Sequence, residues 1–378
     1  MAVLTEEQQM LKDMAGDWSR QNAPVTAYRS LFGRANGPGF DPGLYAEMGQ
    51  MGWTGTIVSE EFGGSDFGYL SMGLVVEELG RTLAASPLIS SALTAASALR
   101  LGGTQEQKTR WLPGIADGSL IGTLAVDEGA QHAPEKTALR AERSKTGWIL
   151  EGMKRPVQDG IAAQLTVVAA RTSGAPGDRE GLTLFIVECT APGLVRQALD
   201  QIDARRPAIF TFNRVEVEPG SVLGEVDRGA DLLDAILDRA RIGLSAEMLG
   251  AATQAFETTT DYLRTRTQFG KLIGSFQALQ HRAADMLGEL MLARSAVEAA
   301  LEAIDAEDPE LPKLASLAKA LAGETARRVT NEMIQMHGGI GMTHEHDAGL
   351  YLKRVRVAEQ CYGNTAYHRE RWGSLSGF

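Results

Sequence analysis

Apolar residues recur at helical spacing in the first third of the chain. The segment 4–20 is amphipathic, and Thr5 with Gln8 has the composition of a capping box. The apolar stretch 74–80 is typical of a helix that ends at a glycine. We therefore predict an N-terminal all-helical domain over residues 1–118.

The pattern changes in the middle third of the chain. The runs 165–169, 182–187 and 209–212 are short and rich in β-branched and aromatic residues, and turn-forming residues separate them. Such runs are typical of strands joined by tight turns. We predict a middle antiparallel β-domain over residues 119–225.

Long helical patterns return after Gly229. One amphipathic helix is predicted there, a second after Ser275 and a third after Pro312, while the C-terminal segment from about Ala348 supplies a fourth. Helices of this length bury their apolar faces against one another. We predict a C-terminal four-helix bundle over residues 226–378, and an α+β fold class for the whole chain.

Composition excludes several classes of function. The chain has 37 basic and 48 acidic side chains and a net charge of −11, which argues against nucleic acid or an anionic membrane as a partner. Its two cysteines have no metal or disulfide spacing. We see neither a signal peptide nor an apolar run near the roughly 20 residues that a spanning helix needs, and expect a cytoplasmic protein without membrane insertion.

Two short segments have the composition of a diphosphate site. The first is 266–270, which begins with Arg266, and the second is 335–341, which contains Gly338 and Gly339. A guanidinium donates paired hydrogen bonds to phosphate oxygens, and consecutive glycines let backbone N–H groups come close to a ligand. The alternative is that Arg266 caps a helix and that the glycines only interrupt the chain.

The order of these motifs resembles the acyl-CoA dehydrogenase family. The resemblance covers nearly the whole chain and includes residues 52–64, Arg241, 266–271, 276–277 and 335–341. It implies FAD bound between the β-domain of one subunit and the bundle of a neighbour, in a homo- or hetero-tetramer, with an electron-transfer acceptor for the reduced flavin. By resemblance, the cofactor contacts are Arg266, Gln268, Phe269, Gln277, Gln335, Gly338 and Gly339.

The same resemblance implies an acyl-CoA substrate. In the family, an aspartate and an arginine early in the first bundle helix lie against the thioester ligand, and Asp238 and Arg241 occupy those positions. The alternative is that both are surface residues on one helical turn. The substrate's chain length does not follow from the sequence.

The sequence departs from the family at the catalytic base. Dehydrogenation needs a carboxylate at the α-carbon, while the β-hydrogen leaves as hydride to the flavin. Most members supply it after the last bundle helix, where this chain has Tyr362 or Gly363, and isovaleryl-CoA-type members supply it at the position of Ala240. No acid stands at these positions. Glu359 is a weak candidate, and the alternative is that it is a solvated or salt-bridged carboxylate.

The β-domain also departs from the family. Residues 126–132 and 155–159 replace the segments that wrap and stack on the flavin, and Pro156 cannot substitute for a stacking indole. We call the residues that one subunit contributes to an FAD a half-site. The half-site for the chain's own FAD therefore lacks the family's residues, whereas the half-site offered to a neighbour keeps them.

This asymmetry leads to one leading hypothesis and two alternatives. The leading one is a base-deficient subunit that lends FAD contacts to a related partner, as in the steroid side-chain-degrading branch of the family. The alternatives are a self-sufficient dehydrogenase with a non-standard base, and a non-enzymatic acyl-CoA-binding or structural homologue. We predict no metal, because the group at His337 and 344–347 lacks the ligand spacing of a metal helix.

Overall fold

The computed structural model describes residues 3–33 and 37–378, and its N-terminal part is helical as predicted. Thr5 and Gln8 form the predicted capping box. Leu88–Ala95 is a π-helix that runs directly into an α-helix. The helices are α1 (Glu6–Asn22), α2 (Val25–Arg29), α3 (Pro42–Gln50), α4 (Gly68–Arg81), α5 (Ala96–Gly102) and α6 (Gln105–Ala116).

The sheet follows in the middle of the chain. Its strands are β1 (Gly122–Ala125), β2 (Arg140–Arg143), β3 (Trp148–Val157), β4 (Leu165–Arg171), β5 (Leu182–Glu188), β6 (Leu194–Ala198), β7 (Ala208–Val217) and β8 (Val222–Leu223). The strand order is β6-β7-β3-β2-β4-β5-β8, and β1 pairs with β4. Most pairs are antiparallel as predicted, but β1 and β2 run parallel to β4. The reason is that β3 separates β2 from β4 along the chain, so the chain re-enters the sheet in the same direction.

The C-terminal part is a helical bundle with one helix more than predicted. Its elements are α7 (Gly229–Thr265), β9 (Thr267–Gln268), β10 (Lys271–Leu272), α8 (Gln277–Asp305), α9 (Leu311–His337), α10 (Ala348–Gln360) and α11 (Thr365–Leu375). Helix α11 extends the predicted four-helix bundle. The α+β fold class is thus confirmed, while the domain limits stay a prediction. No helix in the described parts of the chain is long and apolar enough to cross a membrane.

Helix α4 packs directly against α7 through a pair of glycines. A Cβ at Gly80 would lie 2.3 Å from the carbonyl oxygen of Glu247, and a Cβ at Gly250 would lie 1.9 Å from that of Glu77. The predicted helix end at Gly80 is therefore wrong, because α4 continues to Arg81 and the glycine permits close contact between two backbones.

A buried ionic network joins the bundle to the sheet region. Arg354 on α10 donates to both carboxylate oxygens of Glu247 on α7, at 2.7 and 2.9 Å, and to Asp203 at 3.0 Å. Near it, Arg205 donates to Asp159 at 3.0 Å. All five side chains are buried, so each charge depends on its partner. The network fixes α10 and with it the segment that follows.

Candidate functional site

The two segments with diphosphate-site composition lie at the same end of the bundle. The ring of Tyr262 on α7 stacks on that of His337 on α9, with 4.4 Å between ring centroids. Arg266 follows Tyr262 by one turn, and Gly338 and Gly339 directly follow His337. The ends of α7 and α9 thus lie side by side, with Arg266 directly after one and Gly338 and Gly339 directly after the other.

These predicted contacts face outward. Arg266, Gln268, Gln277 and Gln335 are exposed, and the ring of Phe269 is 88% exposed. The guanidinium of Arg266 makes no hydrogen bond or ion pair within the described residues, so it does not cap α7 with its side chain.

The backbone at this end is also open. Gly338 has φ +64°, a left-handed conformation that favours glycine, and no atom lies within 4 Å of a Cβ placed at Gly338 or Gly339. The end of α9 can therefore receive a ligand from outside the chain.

A separate cavity of about 470 Å³ lies between the sheet region and the end of α10. Its walls include residues of 126–132 and 155–159, the two segments in which the resemblance is weakest. Its lining residues are Asp127, Gly129, Ala130, His132, Arg155, Pro156, Gln158, Leu199, Gln201, Ile202, Arg356, Val357, Gln360, Cys361 and Tyr362. The exposed contacts at the end of α7 and α9 are not among them.

Tyr362 lies on the cavity wall, and it is one of the positions where the resemblance predicts a catalytic base. Its backbone adopts the left-handed conformation, with φ +54°, and Gly363 follows with φ +103°. Its carbonyl oxygen accepts hydrogen bonds from Arg241 at 3.1 Å and from His368 at 3.0 Å. Burial raises the pKa of the Tyr362 phenol, which therefore stays protonated at neutral pH. Ala240, at the other position, is fully buried.

Lys319 holds the same segment from the side of α9. Its buried Nζ donates to the carbonyl oxygens of Ala358, Glu359 and Gly363 at 3.2, 2.8 and 3.0 Å. Burial lowers the pKa of Lys319 to about 8. The turn that presents Tyr362 is thus anchored by one ammonium group.

Glu359, the weak candidate base, points away from the cavity. One carboxylate oxygen accepts hydrogen bonds from the backbone N and the Oγ1 of Thr365, both at 3.0 Å, and the other accepts from Gln360. Burial opposes ionisation, but the hydrogen bonds from Thr365, the charge of Lys319 and the hydrogen bond from Gln360 together lower the pKa of Glu359. The carboxylate is a ligand for the start of α11, where negative charge is favourable.

Asp238 and Arg241, the predicted substrate contacts, lie inside the protein. Their exposed fractions are 2% and 0%, so they are not surface residues on a helical turn. Asp238 accepts from Arg241 at 2.9 Å and from Arg371 at 2.8 and 2.9 Å. Arg241 also donates to His132 at 3.0 Å. In this arrangement both side chains are fully engaged with the protein.

The sequence did not identify the pair of Asp127 and His132. Nδ1 of His132 lies 2.9 Å from Asp127, and Nε2 lies 3.0 Å from a nitrogen of Arg241. A guanidinium only donates, so Nε2 accepts and the proton is on Nδ1. Burial lowers the pKa of His132, in accord with a neutral ring. Both residues lie in the segment 126–132, and the difference of this segment from the family's sequence is the feature that could have pointed to them.

The histidine-rich segment after α9 holds no metal cluster in the parts of the chain that the structure describes. His337 and His346 instead pack ring against ring at 4.3 Å between centroids. Asp347 pairs with Arg29 at 2.5 Å. These contacts are those of a packed loop.

Comparison with known proteins gives a consistent result. Residues 5–119 match "Acyl-CoA dehydrogenase, N-terminal domain" and residues 227–374 match "Acyl-CoA dehydrogenase, C-terminal domain". Acryloyl-CoA reductase (NADH) of Anaerotignum propionicum is 31% identical over 377 residues, covering 97% of this chain and 93% of that protein.

Two solved structures have the same architecture. Butyryl-CoA dehydrogenase from Megasphaera elsdenii is 26% identical, with a TM-score of 0.91 over 100% of this chain and 99% of that one. A variant of the Tcur3481-Tcur3483 steroid ACAD is 30% identical, with a TM-score of 0.88 over 98% of both chains.

Proposed function

Because the chain belongs to the acyl-CoA dehydrogenase family, we propose that it is the base-deficient subunit of a hetero-oligomeric, FAD-dependent acyl-CoA dehydrogenase. The enzyme class is an oxidoreductase that acts on CH–CH bonds, here the α,β-bond of an acyl-CoA thioester. FAD accepts the hydride when it is bound, and a separate electron-transfer acceptor reoxidises it. A related partner subunit supplies the catalytic carboxylate.

One observation carries the proposal, namely that no carboxylate is free to act at the cavity among the described residues. Tyr362 lies on the wall where a glutamate would remove the α-proton, and its phenol is protonated at neutral pH. Asp127 also lines the cavity, but its carboxylate is hydrogen-bonded to His132 and to the backbone N of Ala133. Proton removal from a thioester needs an accessible base in a dry site.

FAD fits one half of the site that this chain offers and not the other. At the exposed end, the guanidinium of Arg266 and the open Gly338 and Gly339 suit a pyrophosphate. In the chain's own cavity, Pro156 supplies no aromatic ring for stacking on an isoalloxazine and has no backbone N–H to donate. These residues therefore suit an FAD that is held mainly by another subunit.

The similarity to a steroid ACAD also supports the proposal. That protein carries a double name, Tcur3481-Tcur3483, which suits an enzyme built from two components. A chain that keeps the FAD contacts for a neighbour and lacks those for its own FAD is expected in an enzyme with two kinds of subunit. We propose a mixed tetramer in which Arg266, Gly338 and Gly339 of this chain bind the pyrophosphate of the FAD that the partner subunit holds.

Flavin stoichiometry tests the proposal. The chain should be expressed alone and together with a related subunit that carries the glutamate, and flavin absorbance should be measured per polypeptide. We expect about one flavin per two chains in the mixed oligomer and turnover only there. A fully flavinated, active oligomer of this chain alone would show that the proposal is wrong.

A matched pair of variants locates the contribution of this chain. Arg266→Gln in the mixed oligomer should lower flavin affinity about tenfold or more, because it removes charge-assisted hydrogen bonds to phosphate. Arg264→Gln is the control, since Arg264 is exposed two residues away and pairs with Asp261. Equal flavin affinity in both variants would contradict the role of Arg266.

A further inference from the structure

The cavity beside Tyr362 contains polar groups that the proposed function leaves unused. The guanidinium of Arg155 lines it and has no hydrogen bond or ion pair within the described residues. The Oε1 atom of Gln201 also lies on this wall, buried and without a hydrogen-bond partner in the described part of the chain. A buried acceptor without a partner is costly unless a ligand or water satisfies it.

The charge of the lining favours an anion. Arg155 and Arg356 are its cationic side chains, and Asp127 is the opposing carboxylate. The hydrogen bond of Asp127 to the neutral His132 at 2.9 Å does not offset its charge, but one carboxylate against two guanidinium groups leaves the lining net positive. Arg356 donates to the neutral Asn331 and keeps its charge. A positive cavity in a chain of net charge −11 attracts anions locally against the overall field.

Part of the remaining wall is apolar, beside the polar side chains of Gln158 and Gln360. The apolar part consists of Pro156, Leu199, Ile202 and Val357, and the side chain of Ile202 is 57% exposed. An exposed aliphatic side chain beside a cavity gains stability when an apolar ligand covers it. Cationic and apolar walls together suit a ligand with an anionic head and a hydrocarbon body.

We propose that this cavity binds an amphipathic carboxylate in place of a flavin ring. The carboxylate pairs with Arg155, the hydrocarbon body lies along Leu199, Ile202 and Val357, and a hydroxyl or water donates to Gln201 Oε1. The inference rests on the proposed function, because it requires that the isoalloxazine ring is absent from this subunit's own cavity. The site would make the base-deficient subunit responsive to a free lipid acid.

Calorimetric titration of the purified full chain and of the mixed oligomer tests the proposal, with octanoate and octan-1-ol as the two probes. Both share one hydrocarbon chain and differ in charge. We expect one octanoate per copy of this chain, bound at least about tenfold more tightly than octan-1-ol, because a charge-assisted pair replaces a neutral contact. Equal affinity for the two probes, or no octanoate binding, would overturn the proposal.

Variants assign the binding to this cavity. Arg155→Gln should weaken octanoate about tenfold and leave octan-1-ol unchanged. Arg140→Gln on the exposed face of β2 is the control and should change neither. Ile202→Ser, at a half-exposed position that does not threaten folding, should weaken both probes. If Arg155→Gln leaves octanoate affinity unchanged, the carboxylate does not bind at Arg155.

Competition with FAD separates this proposal from the proposed function. If FAD displaces octanoate and each chain carries one flavin, the cavity is a flavin site and both proposals are wrong. If the mixed oligomer has one flavin per two chains and octanoate does not bind, only the carboxylate site is wrong. Octanoate binding that persists in saturating FAD supports both.

Discussion

Arg241 donates a hydrogen bond from Nε to the backbone carbonyl of Tyr362 at 3.1 Å. This bond joins the first helix of the bundle to the turn after α10, two segments separated by 121 residues. The same guanidinium binds Asp238 and His132, so it links the bundle, the turn and the loop after β1. Tyr362, one of the positions where the resemblance predicts a base, is fixed through hydrogen bonds to its backbone carbonyl.

Arg241→Met should lower the free energy of unfolding by about 3 kcal/mol, because it breaks a buried charged network and leaves the Tyr362 carbonyl with one donor fewer. Denaturant unfolding followed by circular dichroism measures this. Arg264→Met, an exposed ion pair on the same helix, is the control and should change stability by about 0–1 kcal/mol. Similar losses in the two variants would contradict the importance of the network.

Glu359→Gln should leave turnover of the mixed oligomer unchanged and reduce stability, because Glu359 serves Thr365 and not the substrate. Its pKa is lowered in the folded state, so the carboxylate stabilises the fold above the ordinary value of 4.5. This contribution is lost as the pH falls through the lowered pKa. Unfolding of the variant and wild type from pH 7 to 3 should therefore converge at acidic pH.

The exposed Glu370→Gln on α11 is the control for Glu359→Gln and should behave like the wild type at every pH. Loss of turnover in Glu359→Gln without loss of stability would instead make Glu359 a catalytic base.

Lys319 should make stability rise with pH in the alkaline range. Its pKa falls from 10.5 to about 8 on folding, so the unfolded chain binds the proton more tightly. The cost of burying the charge is present below pH 8 and is relieved between about pH 8 and 10.5. Across this pH range, the free energy of unfolding of the wild type should rise by on the order of 3 kcal/mol relative to that of Lys319→Met.

Lys313→Met, a partly exposed position near the start of the same helix, is the control and should show no such trend relative to the wild type. A flat difference between wild type and Lys319→Met would mean that Lys319 keeps its ordinary pKa in the folded state.

A substitution of glycine by alanine should have opposite effects on stability at Gly250, which lies in the contact between α4 and α7, and at Gly288, which does not. Gly250→Ala should destabilise by about 2 kcal/mol or more, because its Cβ meets the Glu77 carbonyl oxygen and the backbones must separate. Gly288→Ala on α8 is the matched control, since no atom lies within 4 Å of a Cβ there. It should stabilise by about 0.5–1 kcal/mol through helix propensity. Thermal unfolding of both variants distinguishes the two cases.

Local sequence signals predicted the features that depend on local chemistry. The capping box at Thr5 and the helix starts near Gly229 and Ala348 were predicted because neighbouring residues determine them. The extra helix α11 is not predicted because only a short turn separates it from α10 and its apolar residues do not recur at helical spacing. Gly80 was misread because a glycine that permits a backbone contact has the same sequence signal as one that ends a helix.

The interior of the candidate site could not be predicted in this way. His132 and Arg241 are 109 residues apart, and only the fold brings the ring and the guanidinium to 3.0 Å. The resemblance predicts Asp238 and Arg241 against a ligand, but the contact of Asp238 with Arg371 on α11 depends on the fold and has no local signal in the sequence. Long-range polar contacts of this kind depend on tertiary packing and leave no periodic pattern in the sequence.

The glycine contact between α4 and α7 has a mechanical consequence. Helix α4 precedes the eight-stranded sheet in sequence and α7 follows it, and the contact packs the two helices directly against each other. The sheet is therefore an insertion between two helical segments that pack together. Proteolysis in the exposed loop 174–180 would leave one fragment that contains α4 and another that contains α7. They would remain joined, and the nicked protein would migrate as one particle until it is denatured.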